Sequence, residues 1–404
     1  MSTYTVYTKI ESNVPADNLL YDLTIYRMDS SKKKHYILSG VSKQPVQPNY
    51  ETLKHQTSDT TDPTTTIYMV EVMLYRKHLG NVSPALKEPF IRMYTLDELM
   101  AGKACSEKKR ENACYFESIG QTELESKGDN TIELRISVPE RQFIAKEYPV
   151  GSPKDPFKKD LLEFELLQRM NHFDYPDQGT TSLCGLAALF YSLLIDRPDV
   201  YGQAARELWQ YGTTKIGDLR ITPGNGCKKP SGSFYFESGR AKVSGLDWIT
   251  LASLRDSENA IFSYSSAEDE AAGVTMWGML SEWFEKVGYQ KVFDNISLST
   301  SNLKDILDLN EYQKKGYLIV SLISAGMLTG LPNQDTSSKN HWIVWNGALT
   351  GIGNSVITNE TNLNTIVDLN CFSWGEVKGW VKKDSSLNYF LKHTFGALVF
   401  KRVL

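Results

Sequence analysis

Gln178-Gly-Thr-Thr-Ser-Leu-Cys184-Gly185 begins as a polar, glycine-containing loop and passes straight into an apolar run that ends at Ile195. Leu183, Ala187, Phe190, Tyr191 and Leu194 recur at spacings of three and four, the period of one helix face. The pattern predicts a buried helix with Cys184 in its first turn. A thiol there meets unpaired backbone N–H groups and the positive end of the helix dipole, both of which favour a thiolate. Gln178 stands six residues upstream, near enough to aim its amide at whatever the sulfur attacks. The stretch therefore reads as the nucleophile end of a cysteine hydrolase.

The rest of the chain sets the frame. At 404 residues it is too long for one ordinary core. With 41% apolar and 23% charged residues its composition is that of a globular protein. A formal charge of −4 lacks the basic balance of a nucleic-acid binder. The Lys32–Lys34 run reads as a solvated turn. The N-terminus shows neither a basic n-region nor an apolar h-region, so the expectation is synthesis in the cytoplasm without a signal peptide, any export using a signal-less route. The longest apolar runs, 183–195 and 317–328, fall well short of the roughly 20 residues of a membrane span. Five cysteines occur, with no CxxC and no clustered histidine. That argues against zinc, and no cofactor is expected. Cys105 and Cys114 either close a small loop or stay unpaired.

Residues 1–150 read as a mostly-β, sandwich-like accessory domain for targeting, docking or delivery. Tyr4–Ile10, Leu19–Met28 and Ile67–Tyr75 are rich in strand-forming residues, and Thr131–Val138 alternates apolar with polar. Leu96–Ala101 fits a short helix. His35, His55 and His78 are scattered and read as structural or solvated. Glu147–Pro156, with three prolines and a glycine, reads as a linker.

Residues 157–404 read as a second, α+β domain, helices first and antiparallel sheet second. Helical patterns cover 159–170, 183–195, 200–211, 246–255, 276–287 and 303–315. Between them, the Gly/Pro-rich stretch 212–244 is either a wall of a substrate cleft or a surface insertion. Strand patterns follow at 317–323, 341–346, 355–358, 365–371 and 395–401. The nucleophile helix and the sheet should form two layers with a cleft between them.

A cysteine hydrolase needs a base and a group that holds the base in the correct tautomer. His341 opens a strand after the polar loop 335–340, where an imidazole would project at a cleft rim. In Thr365–Asn370, Asp368 and Asn370 share one strand face and Val367, Leu369 and Cys371 the other. Either polar residue is placed to accept the imidazole N–H, and Trp374 to shield that bond from water. His172 and His393 are weaker rivals for the base. Cys227, a loop thiol, and Cys371, on the opposite strand face, are weaker nucleophiles.

Together, Gln178-Gly-x4-Cys184-Gly, Asn340-His341-Trp and Asn370-x3-Trp374-Gly375 resemble the three signature segments of papain-like cysteine peptidases, in the family's order. The resemblance covers active-site segments of the second domain and nothing of the first. Gly185-Leu186 stands where the family usually has Trp after the cysteine, and two extra residues separate Asn370 from Trp374; such departures resemble divergent bacterial effectors and toxins. The resemblance implies a papain-like fold, Cys184 as nucleophile, His341 as base, and Gln178 with the Cys184 N–H as oxyanion donors. It also implies a protein or peptide substrate, and an immunity or secretion-machine protein as partner. The expected resting state is a thiolate–imidazolium pair, with Cys184 the first thiol labelled by iodoacetamide at pH 6. Amide bonds of peptidoglycan peptides are the alternative substrate. A retained, non-catalytic binding module is the alternative from another class.

Overall fold

The structure, a computed structural model, describes residues 3, 5–11, 14–78, 80–86, 88–100, 115–117, 124–127, 131–134, 141–179, 181, 183–258, 277–297, 299–332 and 338–403. It is mixed α+β with antiparallel sheets, apart from one short parallel pair, Lys9–Glu11 with Tyr115–Glu117.

In the first part of the chain, long strands β1 (Leu19–Met28), β2 (Lys34–Pro45) and β3 (Ile67–His78) lie in the order β2-β1-β3. Two further strands, β4 (Asn81–Pro84) and β5 (Phe90–Thr95), both pair with β3. Helix α1 (Leu96–Met100) follows β5 directly. Alternation along β1 sorts its side chains: Tyr21, Leu23 and Ile25 enter a core confined to this module. Tyr26, with Ile67, Met69 and Met93 from the neighbouring strands, enters the core of the second part instead. The expected strand at Tyr4–Ile10 is two short ones, Thr5–Val6 against His55–Gln56 and the parallel pair above. Strand Thr131–Leu134 pairs with Leu124–Lys127, and the expected continuation to Val138 lies outside the described residues, as do Cys105 and Cys114.

Helices α2 (Lys159–Met170), α3 (Cys184–Asp196) and α4 (Pro198–Tyr211) open the second part. Gly212, at a φ of 68°, ends α4 in the left-handed cap that glycine favours. A helical segment at 245–258 carries a π-turn, Trp248–Ala252. Helix α5 (Trp277–Lys286), strand β6 (Gln290–Asp294) and helix α6 (Leu303–Lys314) follow. Next come β7 (Leu318–Ile323), β8 (His341–Trp345), β9 (Asn370–Ser373), β10 (Glu376–Gly379), α7 (Leu387–Lys392) and β11 (Thr394–Lys401). The six strands form one antiparallel sheet in the order β6-β11-β7-β8-β9-β10.

The sheet has helices on both faces rather than the single helical layer expected. On one face Val320, Leu322, Trp342, Val344 and Phe372 pack with α3. On the other, Ile319, Ile323, Ile343, Trp345 and Cys371 pack with Ile306 and Leu309 of α6 and Phe390 of α7. The reason is legible in β7: all six of its residues are buried, so neither face can meet water. Burial of each large apolar side chain in α3 contributes roughly 1.5–3 kcal/mol, which holds this helix against the sheet.

The two parts are packed together. Arg197, at the start of α4, is fully buried and donates to the Ile67 carbonyl of β3 at 2.5 Å and to Asp199 at 3.0 Å. Asp199 in turn accepts the Met28 N–H at 3.0 Å. Arg92 of β5 pairs with Glu207 of α4 at 3.1 Å, both buried. The proline-rich stretch 147–156 is likewise packed. Asp155 is buried and accepts from Arg141 at 2.6 Å, and a Cβ at Gly245 would come within 1.9 Å of the Pro156 carbonyl oxygen. No helix among the described residues is long and apolar enough to cross a membrane.

Candidate active site

Cys184 is the first residue of α3, as its spacing predicts, and is 8% exposed. Leu183 supplies the first helical acceptor but no side-chain cap, so the early N–H groups of the helix are left for other partners. The sulfur receives the backbone N–H groups of Trp342, Gly185 and Cys184 itself. The Trp342 contact joins segments far apart in the chain, bringing the residue after His341 against Cys184.

His341 opens β8 and is 3% exposed. Its Nε2 lies 2.7 Å from the Ser373 hydroxyl. Trp374 stacks on the imidazole, ring centroids 4.3 Å apart and planes 16° apart, as its place in the sequence suggests. Trp374 adopts a φ of 41°, a left-handed conformation that costs a non-glycine residue energy and that the next residue, Gly375 at 70°, adopts readily. The tight turn thus swings the indole back over the strand that carries His341.

Ser373, and neither Asn370 nor Asp368, is the partner of His341. Strand register gives the reason. Trp345 pairs with Cys371 and Val344 with Phe372, so the odd-numbered residues of β8 and β9 share one sheet face. His341 and Ser373 are on that face, which α6 and α7 cover, whereas Cys184 comes from the α3 side of the sheet and no hydrogen bond joins its sulfur to the His341 ring; Asn370 is on the α3 side and exposed. Asp368 belongs to a different sheet, where it pairs with Thr350, and its carboxylate accepts the Leu369 N–H at 2.9 Å. The expected strand 365–371 is therefore two strands in two sheets. The buried–exposed alternation of Val367 to Cys371 is nevertheless as read.

Gln178 is buried, and its side-chain amide donates to the Thr181 carbonyl at 2.8 Å. Thr181 returns two bonds, its hydroxyl and its N–H both donating to the Gln178 carbonyl. This reciprocal turn fixes the carboxamide while leaving its second N–H for another acceptor. Gly179, at a φ of 59°, makes the turn possible: a Cβ there would sit 2.0 Å from the Lys242 carbonyl oxygen. The 212–244 stretch is thus packed beneath the Gln178 loop. Within it, buried Phe234 meets Phe157 and Trp248 edge-on.

Burial works against the expected resting ion pair. Burial pushes the Cys184 thiol up to about 11, with the three N–H groups opposing only in part. Burial likewise pulls the His341 imidazole down to about 3. Ser373 is neutral, so it orients the ring without offsetting the desolvation of an imidazolium, as a carboxylate would. Burial thus favours a neutral thiol and a neutral imidazole at rest.

The rival residues are engaged elsewhere. His393 donates Nδ1–H to the Tyr389 carbonyl at 2.8 Å, and exposed His172 stacks beside Tyr175. His35 and His55 bond Asp29 and Tyr21 in the first module, and the His78 side chain lies outside the described residues. Cys227 is buried in a short helix, not a loop, 4.0 Å from the Ser253 hydroxyl, and burial holds its thiol well above the usual range. Cys371 is buried on the α6–α7 face of the sheet, its thiol also raised. Among the described residues no three His, Cys, Asp or Glu side chains gather as a metal site. Compared with protein-family models, curated proteins and solved structures, the chain matches none.

Proposed function

We propose that this protein is a cysteine hydrolase that cleaves amide bonds, with Cys184 as nucleophile, His341 as base and Ser373 as the residue that orients the base. The observation that carries this reading is the joint between α3 and β8. The Trp342 N–H meets the Cys184 sulfur, while His341 is fixed by Ser373 at 2.7 Å and roofed by Trp374. With Nε2–H donating to the serine oxygen, the ring's other nitrogen, Nδ1, keeps a lone pair, and the reading requires the imidazole to turn toward α3 so that this lone pair reaches the Cys184 thiol during turnover.

The chemistry then proceeds from the neutral pair. Nδ1 takes the thiol proton as the sulfur bonds to the substrate carbonyl carbon, whose oxygen becomes an oxyanion. The second N–H of Gln178 and the Cys184 N–H stabilise that oxyanion, each worth about 3 kcal/mol. The imidazolium gives its proton to the leaving nitrogen, and the C–N bond breaks. Water, deprotonated by Nδ1, then hydrolyses the thioester and restores the thiol. Proton transfer concerted with attack suits a buried site, since no isolated charge need stand there between turnovers.

The order of the three motifs supports a papain-like fold for this part of the chain, and with it a protein or peptide substrate. The departures around Cys184 and Asn370 support placement among bacterial effectors or toxins, with an immunity protein in the producing cell. The test is incubation of the protein, separately, with denatured casein and with purified peptidoglycan, alongside Cys184→Ala. Casein cleavage lost in the variant supports peptide hydrolysis, and release of peptidoglycan stem peptides lost in the variant moves the substrate to cell-wall amides. Cleavage that survives Cys184→Ala overturns the cysteine-hydrolase reading, and none on either substrate moves the reading to a binding module.

A further inference from the structure

The Gln178 loop and the Trp374 turn come from sequence positions far apart, yet they must keep a fixed separation if an oxyanion donor and a base are to serve one carbonyl. Asp177 lies between them. Its carboxylate accepts the Gly179 N–H at 2.9 Å, closing the turn from which the Gln178 side chain points inward. A Cβ at Gly375 would come 2.9 Å from the Asp177 Cβ, so the Trp374–Gly375 backbone rests directly on this side chain. From below, the Asp177 N–H donates to Asp247 at 3.2 Å. Asp247 is locked in place by buried Arg169 at 2.6 Å and by the Ser244 hydroxyl at 3.0 Å. Arg169 also donates to the Tyr201 hydroxyl of α4 at 2.5 Å, which ties the assembly to the helical layer.

We infer that Asp177 is a positioning residue, the spacer that sets the distance between the oxyanion loop of Gln178 and the turn that carries Trp374 over His341. The inference rests on the hydrolase reading above. Gly375 is required on the facing side because any side chain would displace the spacer. Asn at 177 keeps the shape and the acceptor for the Gly179 N–H, whereas Ala keeps neither. Misplacement of a catalytic group by about 1 Å can cost about 100-fold in rate.

The test is a set of full-length variants: Asp177→Asn, Asp177→Ala, Gly375→Ala and the double Asp177→Ala/Gly375→Ala. Each is assayed for kcat and KM on the substrate that wild type cleaves, with the melting temperature as a control for folding. Asp177→Ala is expected to lower kcat about 10- to 100-fold with KM within about threefold, and Asp177→Asn to restore kcat to within about fivefold of wild type. Gly375→Ala should harm wild type more than it harms Asp177→Ala, because alanine, though it keeps the Cβ at 2.9 Å, removes the carboxyl carbon at 3.2 Å and leaves the residue freer to give way. Strictly multiplicative effects on kcat in the double variant, or no rescue by Asn, overturn the spacer role. If Asp177→Ala does not fold, Asp177→Asn against Gly375→Ala decides: both impaired alike overturns the role, and only the glycine variant impaired upholds it. Should turnover survive Cys184→Ala, it is the hydrolase reading that fails; should Cys184→Ala abolish turnover while Asp177→Ala leaves kcat intact, only the positioning role fails.

Discussion

The imidazole of His341 meets the hydroxyl of Ser373 at 2.7 Å inside the fold, and this neutral partner separates the site from one built on a carboxylate. A serine fixes the tautomer and the ring plane but contributes no charge. Removing it as Ser373→Ala leaves a buried ring N–H unpaired. A net hydrogen bond of about 0.5–1.5 kcal/mol corresponds to about a 2- to 12-fold loss in kcat. Ser373→Thr should recover most of it, while Asn370→Ala and Asp368→Ala should stay within about twofold of wild type. Hydrolysis rates of these variants on one substrate decide the matter. A larger loss from Asn370→Ala than from Ser373→Ala would restore the carboxamide to the site.

Why this partner was hard to read follows from register. Spacing placed α2 and α3 to within a residue, because helix periodicity is local and α3 is apolar on nearly every side. Parity along 367–371 was equally legible. Which parity faces His341 depends on the pairing of Trp345 with Cys371 and on the chain changing sheets at Leu369, and both are tertiary facts. A serine hydroxyl two residues short of Gly375 also carries no signal of this role in the sequence, unlike a carboxylate or carboxamide. The stacking of Trp374 was foreseeable from its neighbours, but the backbone twist that achieves it was not. The joint between the two modules was invisible for the same reason, since Arg197 and Ile67 meet only in three dimensions.

Thiol chemistry offers a direct check on the neutral resting pair. With its thiol held up at about 11, Cys184 presents about one thiolate in ten thousand at pH 7. Carbamidomethylation by iodoacetamide should therefore be slow at pH 6 and rise about tenfold per pH unit through pH 9. His341→Ala should change the rate at pH 6 by less than about threefold, because no imidazolium supports the thiolate there. Peptide mapping by mass spectrometry against time gives the site-specific rate. Rapid labelling at pH 6 that His341→Ala abolishes would reinstate the ion pair.

The module joint makes a stability prediction. Arg197 is buried against Ile67 and Asp199, and Asp199 holds the Met28 N–H. Arg197→Ala leaves that carboxylate uncompensated, at a cost of about 3–5 kcal/mol. Removal of residues 1–150 should be worse, since Tyr26, Ile67, Met69 and Met93 belong to the second module's core. Urea denaturation should show one cooperative transition for the whole chain, shifted to lower urea in Arg197→Ala. Residues 157–404 expressed alone should bind a hydrophobic dye or aggregate; a stable monomer with the parent melting temperature would show that the joint contributes little.

Trp374 links the site to acid stability. The folded-state imidazole of His341 titrates at about 3, below the roughly 6.5 of an unfolded histidine. Below pH about 6.5 the unfolded chain therefore binds the proton that the folded chain refuses. The contribution is fully present above that pH and is lost progressively as pH falls toward 3. Burial is the cause, and the stacked indole supplies part of it. Trp374→Ala should admit water to the ring and move its pKa up toward 6.5. The variant will be less stable at pH 7, having lost a large, partly buried side chain, yet its stability should fall less between pH 6.5 and 4 than that of wild type. Urea titrations at half-unit pH intervals give both slopes, and the His341 ring resonances in NMR give the pKa directly. An unchanged His341 pKa in the variant would show that the imidazole is held neutral by the sheet beneath it rather than by the indole above.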